Sequence, residues 1–90
     1  MAKKTVVFTC APPSVAFKLV LQGNAKTPGS DGKVSFSAEP GAAGLAYAAL
    51  GQPGTPFSIK LTEGGKMESP IEREIPADGD TGGFRKIEVQ

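Results

Sequence analysis

The sequence predicts an all-β fold, a sandwich of about seven short antiparallel strands. Runs in which apolar and polar residues alternate recur along the chain, and this period of two is typical of half-buried strands. Twelve glycines and eight prolines separate these runs and mark frequent turns. No segment has the apolar period of a long helix. We therefore expect residues 1–90 to form a single β-sandwich domain.

The first three strands have the clearest alternation. We predict them at residues 4–10, 15–22 and 33–38, and a Pro-Pro pair ends the first because proline cannot donate to a β-ladder. A long polar turn is predicted between the second and the third, over residues 23–32. The side chains expected to face the core in these strands are Val6, Phe8, Cys10, Val15, Phe17, Leu19, Leu21, Val34, Phe36 and Ala38.

The middle of the chain alternates less regularly. A break is predicted at residues 40–44, where glycine, proline and alanine are concentrated. Residues 45–50 are mostly alanine, so the pattern leaves both a strand and a helical turn open. Residues 57–62 alternate strongly, and the Gly-Gly pair that follows predicts the end of that strand.

Two further strands are predicted in the last part of the chain. Residues 71–75 are highly charged, which suits a sheet edge because charges discourage pairing with other chains. After a loop over residues 76–83, the last strand covers residues 84–89. Phe84 is out of phase with the other apolar residues of that strand, which predicts a β-bulge. Strands at this spacing fit an immunoglobulin-like β-sandwich.

The residue inventory indicates a protein that is not an enzyme and needs no cofactor. The chain has no histidine, no tryptophan and one cysteine. Without histidine, proton transfer near neutral pH needs a strongly perturbed carboxyl, lysine or cysteine. Cys10 is in phase with the core positions of its strand, which indicates a small buried residue and not a nucleophile.

The charge and hydropathy patterns favour neither nucleic acid nor a membrane as a partner. The formal net charge is +1, and the lysines are not interleaved with aromatic residues as they are on nucleic-acid-binding surfaces. No apolar stretch approaches the roughly 18 residues of a membrane span, and no signal-peptide core is present. A single cysteine cannot form an internal disulfide. We expect a cytoplasmic protein.

Two segments resemble the early-set β-sandwiches that include starch- and glycogen-binding modules. Residues 5–8 (TVVF), residues 11–12 (AP) and residues 15–23 are similar to the "VTF…AP…VxLxG" opening of those modules. Residues 66–76 (KMESPIEREIP) are similar to their "WE…NR…xP" stretch, and Thr-Gly-Gly at residues 81–83 leads into the last strand as it does there. The resemblance implies the same sandwich fold and a site for glucose chains.

The sequence departs from this family at the residues that hold sugar. Starch-binding modules stack sugar rings on exposed Trp or Tyr faces, and the stacking position falls here on Met67. The Gly-Asn-Trp that often follows their second strand is Gly-Asn-Ala at residues 23–25. The resemblance therefore implies a reduced carbohydrate site at most, for which we predict Tyr47, Met67 and Glu68.

Asp78 and Asp80 are the candidate ligands for a metal ion. Two carboxylates two residues apart, with glycine between them, could offer oxygens to Ca²⁺. Glu74 or Asp31 could add a ligand if the loops share one end of the sandwich. The pattern departs from a calcium loop because its fifth position is glycine and its twelfth is Val89. An ordinary solvated turn is the alternative.

The function that we predict is non-catalytic binding or assembly. A partner strand can add to an exposed sheet edge, and the first strand carries few charges and is predicted to be such an edge. Residues 45–50 are almost wholly apolar, so they lie in the core or on a face that a second copy covers. We predict a module that contacts a protein partner, or itself, through an edge strand or a sheet face. The alternatives are a reduced carbohydrate-binding module and a weak Ca²⁺-binding sandwich.

Overall fold

The computed structural model describes residues 3–90, and the regular secondary structure in this range consists of β-strands. Most of these strands coincide with runs of alternating apolar residues, because that pattern gives a strand one buried face. The strands are β1 (Lys4–Ala11), β2 (Ala16–Leu21), β3 (Asn24–Lys26), β4 (Lys33–Ala38), β5 (Gly41–Leu50), β6 (Pro56–Glu63), β7 (Gly65–Met67), β8 (Ile71–Glu74) and β9 (Asp80–Val89).

The strands form two antiparallel sheets. The four-stranded sheet has the order β4-β1-β6-β8, and the five-stranded sheet has the order β3-β2-β5-β9-β7. The predicted all-β sandwich is confirmed, with nine strands in residues 3–90 where about seven were expected. The two additional strands, β3 and β7, have three residues each. Pairing with a neighbour defines them, because three residues are too few for an alternation to be recognised.

The core lies between the two sheets. All ten side chains predicted to face it from the first three strands are buried. Phe17 on β2 and Phe57 on β6 meet edge to face across the two layers, with ring centroids 5.7 Å apart. Within the four-stranded sheet, Phe8 and Phe36 pack in the same way at 5.9 Å. Alternation therefore determined which face of each strand became the interior.

Strands β5 and β9 are longer than the sequence indicated. The break predicted at residues 40–44 is wrong, because β5 begins at Gly41, and residues 45–50 are a strand and not a helical turn. The loop predicted at residues 76–83 is likewise too long, since β9 begins at Asp80. Glycine and alanine give no apolar contrast, yet their backbones pair along the full length of both strands.

The predicted bulge at Phe84 is also wrong. The β5–β9 pairing runs without a shift in register from Gly41 opposite Val89 to Leu50 opposite Asp80. Phe84 is out of phase because its side chain points to the outer face of the sheet, where 67% of it is exposed. The register shift lies instead between β1 and β6 at Val7, whose carbonyl accepts a hydrogen bond from the Thr62 hydroxyl.

The first strand is not an edge. β1 pairs with β4 on one side and with β6 on the other, so it lies inside the four-stranded sheet. The prediction of a permissive edge at residues 5–10 is therefore wrong, because the order of the strands depends on contacts between distant parts of the chain. The charged segment β8 is an edge, as its composition predicted.

Candidate functional site

The most distinctive surface is the outer face of the five-stranded sheet. Leu50 and Phe84 are the large hydrophobic side chains that stand exposed in residues 3–90, by 55% and 67%, and both lie on this face. Most of the residues around them are small and apolar, and the exposed side chain of Lys18 on β2 lies among them, in the row of Ala48 and Gly82. We call this surface the outer apolar face, and its members are Ala16, Val20, Ala25, Gly44, Ala46, Ala48, Leu50, Gly82 and Phe84.

Strand register places these residues side by side. Ala25, Val20, Ala46 and Phe84 form one row across four neighbouring strands. In an antiparallel sheet such directly opposed side chains share a face and contact one another. In the neighbouring rows, alanine and glycine occupy the positions between Phe84 and Leu50 on strands β5 and β9. The result is a floor of small residues with one large apolar side chain towards each end and Lys18 at the side of its central row.

The Phe84 ring packs closely on the sheet because Gly44, which lies under it, has no side chain. A Cβ atom placed on Gly44 would overlap the Phe84 ring, so the ring lies directly over this glycine. The inner face repeats the arrangement, since a Cβ atom on Gly83 would lie 2.6 Å from the Tyr47 hydroxyl. An aromatic ring that covers a cross-strand glycine replaces the packing that glycine lacks. Phe84 therefore offers an ordered ring face to solvent.

Charged residues of opposite sign border this floor along strand β9. Asp80 lies opposite Leu50 at one end, and Lys86 lies opposite Gly44 towards the other end. Both charged residues are exposed. Because the side chains of every second residue share a face, these two lie on the same face as Phe84.

The Tyr47 side chain, predicted for a carbohydrate site, lies in the core. Only 8% of the residue is exposed, and its ring packs edge to face on Phe57 at 6.5 Å. Arg73 on the edge strand β8 donates a hydrogen bond from Nη1 to the Tyr47 hydroxyl at 3.1 Å. No sequence pattern predicts this contact, since it depends on the two sheets facing each other.

The structure does not bring the three predicted carbohydrate-site residues onto one exposed surface. Met67 on β7 is half-buried and packs on the core, while Glu68 is exposed just beyond that strand. Strand β9 separates Met67 from Tyr47, with Gly83 opposite Tyr47 and Ile87 opposite Met67. The reduced carbohydrate site stays a prediction.

Asp78 and Asp80, the predicted calcium ligands, are both exposed where the last loop meets β9. No group of three or more Cys, Asp or Glu side chains within residues 3–90 is arranged to hold a metal ion. The Asp31 carboxylate accepts a hydrogen bond from the Lys33 backbone N–H at 3.0 Å, so it serves its own turn. Calcium binding likewise stays a prediction.

Two surface depressions lie beyond the centre of the outer apolar face, and the smaller one reaches Ala16 at its margin. A shallow groove of about 890 Å³ runs beside the β6–β8 pair and is bordered by Pro56, Glu72 and Glu74. A smaller pocket of about 310 Å³ lies at one end of the sandwich between Phe17 and Pro28. Neither depression includes Tyr47, Met67, Glu68, Asp78 or Asp80, and only Glu74, a possible further calcium ligand, borders the larger one.

The Cys10 thiol is buried, and burial raises its pKa from 9.0 to about 11. The folded protein therefore keeps the thiol protonated between these two values, whereas the unfolded chain releases the proton.

The contribution of the Cys10 thiol to the free energy of unfolding is fully present below pH 9. It is lost as the pH rises towards 11, by about 1.4 kcal/mol per pH unit. Urea unfolding across this pH range should show that slope, and Cys10→Ala should remove it. Equal slopes in the two proteins would contradict the assignment to Cys10.

Compared with protein-family models, with curated proteins and with solved structures, the chain matches none. The resemblance to starch-binding modules therefore stays a prediction from the sequence. No helix in residues 3–90 has the length and apolar character needed to cross a membrane. The geometry of the surface is the remaining basis for inferring a function.

Proposed function

We propose that this protein is a non-catalytic binding or assembly module that contacts a protein partner through the outer apolar face. The observation that carries the proposal is the exposure of Leu50 and Phe84, by 55% and 67%, on one sheet face whose other apolar members are mostly alanine and glycine, with Lys18 beside them. Single exposed apolar residues are common on protein surfaces, but a contiguous apolar patch marks an interaction site. We also infer that the sandwich is of the immunoglobulin-like, early-set type, an inference supported by the two sequence segments and the two antiparallel sheets.

The edge of the four-stranded sheet at β4 is less suited to a partner strand. Lys26 donates a hydrogen bond from Nζ to the Ser35 carbonyl at 2.7 Å. Just beyond the strand, the Gln22 amide bonds both backbone groups of Glu39, at 2.8 and 3.2 Å. Side chains from the other sheet thus occupy positions that an added strand would need.

The other edges are guarded or short. Strand β8 presents Glu72, Arg73 and Glu74 in succession, and charges on an edge discourage pairing. Strands β3 and β7, at the edges of the five-stranded sheet, have three residues each. A sheet face therefore fits a partner better than a sheet edge does.

The test replaces the exposed ring with a charge. Immobilised wild-type protein should retain a partner from a lysate of the cells that produce it, and Phe84→Lys should retain at least about tenfold less, because exposed aromatic residues dominate interface energies. Ser37→Lys places the same charge on the outer surface of the four-stranded sheet and should behave as wild type. Amide NMR spectra verify that each variant is folded. Equal retention by the wild type and both variants would overturn the proposal.

A further inference from the structure

We propose that the occupant of the outer apolar face is a second copy of this chain, packed face to face with its strands antiparallel to those of the first. The two-fold axis crosses strands β5 and β9 at the level of Tyr47 and Gly83, which are directly opposite each other. This inference rests on the proposed function, because it uses the same face. It adds the identity of the partner and the register of the contact.

Such an axis pairs residues that are equally distant from it along each strand. On β9 it brings the backbone of Phe84 in one copy over Gly82 of the other, which has no side chain, while the Phe84 ring lies over Gly44 of its own chain. It also brings Asp80 of each copy opposite Lys86 of the other, which gives two identical charge pairs. Both features follow from the spacing of four residues around Gly83, all of which face outward.

Strand β5 fits the same axis. Ala46 of one copy meets Ala48 of the other, and two alanines allow the sheets to approach closely. Leu50 of each copy meets Gly44 of the other, where the Phe84 ring already lies over the glycine. The second exposed hydrophobic residue is therefore covered by the first one of the partner copy. This self-complementarity is what an isologous two-fold contact requires.

A two-fold axis parallel to the strands lacks this complementarity. If it ran between β5 and β9, it would place Asp80 against Leu50 and Lys86 against Gly44 of the other copy. Each charge would then face an apolar or empty position, which is unfavourable in a closed contact. The two charges of β9 therefore favour the antiparallel arrangement, although on β2 the same axis brings Lys18 of one copy over Val20 of the other.

The size of the face indicates a weak dimer. Strands β5 and β9 have ten residues each, so the face is about 33 Å long, and three strands cover about 14 Å across it. This gives on the order of 1,000 Å² buried by both copies together, the lower end of specific interfaces. Lys18 on β2 also lies on this face, and its long side chain can pack along apolar surface while its charge stays in water. Association at micromolar to millimolar concentrations is expected.

Charge reversal tests both the partner and the register. Sedimentation equilibrium of the wild type, in buffer with a chelator and from about 10 µM to about 1 mM, should show a monomer–dimer equilibrium. Asp80→Lys and Lys86→Asp should each weaken dimerisation by about tenfold to a hundredfold, since each turns two attractions into repulsions. The double variant, which exchanges the two charges, should regain wild-type association. An equimolar mixture of the two single variants should form a mixed dimer.

Each contrary result has its own meaning. A wild type that stays monomeric at about 1 mM overturns the second copy as the occupant, while Phe84-dependent retention of another protein would leave the proposed function intact. A dimer that ignores Phe84→Lys overturns the use of this face. A dimer that is weakened by the single reversals but not restored in the double variant or the mixture overturns the antiparallel register. Dispersed amide NMR spectra of the single variants exclude misfolding, since both positions are exposed.

Discussion

Replacement of Gly64 with alanine is expected to lower the free energy of unfolding by about 4 kcal/mol or more. In a small domain, a loss of this size leaves a large fraction of the molecules unfolded. Gly64 has a φ of +84°, a conformation that costs an L-residue about 1–2 kcal/mol. The larger part of the loss comes from the space around it. A Cβ atom there would overlap the carbonyl of Thr5, and a backbone group in a central strand cannot rotate away as a side chain can.

The position of Gly64 in the fold explains this crowding. It is the single residue between β6 in the four-stranded sheet and β7 in the five-stranded sheet. Its carbonyl accepts a hydrogen bond from the Gln90 N–H at 3.0 Å, so the end of the chain is held at the same point. The chain passes from one layer to the other while pressed against β1.

Gly54→Ala is the matched control for this prediction. Gly54 has a φ of +86°, and a Cβ atom added there meets nothing within 4 Å. Its replacement should cost only the conformational part, about 1–2 kcal/mol. Urea unfolding followed by circular dichroism measures both losses. Equal losses in the two variants would show that the contact with Thr5 does not limit residue 64.

The sequence identified strands wherever large apolar side chains alternate with polar ones. The predicted strand at residues 33–38 has the same bounds as β4, and the strand predicted at 4–10 differs from β1 by one residue. In these segments burial gives each strand one acceptable face, and a shift by one residue would expose the whole apolar set. Local pattern and tertiary structure therefore agree.

The candidate site lies where large apolar side chains do not alternate with polar ones. The sequence marks residues 45–50 as apolar and leaves open a face covered by a second copy, but it predicts a bulge at Phe84. An apolar residue out of phase with its strand points to the opposite face, and that was the signal for Phe84. Its neighbours on the face are alanines and glycines, whose strand pairing no alternation indicates.

The contacts of the predicted ligand residues depend on strand order. Tyr47 is paired by Arg73, which is 26 residues away in the sequence and in the other sheet. Such a contact follows only after the layers and their edges are known. For the same reason, the sequence did not show that β1 has neighbours on both sides.

The central position of β1 leads to the second large prediction, for Thr9→Pro. Thr9 lies opposite Lys33 of β4 and Lys60 of β6, so a proline there removes a backbone donor from inside a sheet. The hydrogen bond between the hydroxyls of Thr9 and Thr62, at 3.2 Å, is lost as well. Because proline is tolerated only at edges and bulges, we expect a loss of about 3 kcal/mol or more.

Glu74→Pro tests the same substitution on an edge strand. The N–H and C=O of Ile75 both bond towards β6, so by alternation those of Glu74 point to the open side of β8. Proline at residue 74 should therefore cost less than about 1 kcal/mol, and Thr9→Ala measures the share of the hydroxyl. Urea unfolding of the three variants gives the comparison. If Thr9→Pro left the free energy of unfolding unchanged and altered only association, β1 would behave as an exposed edge, and the strand order described above would be wrong.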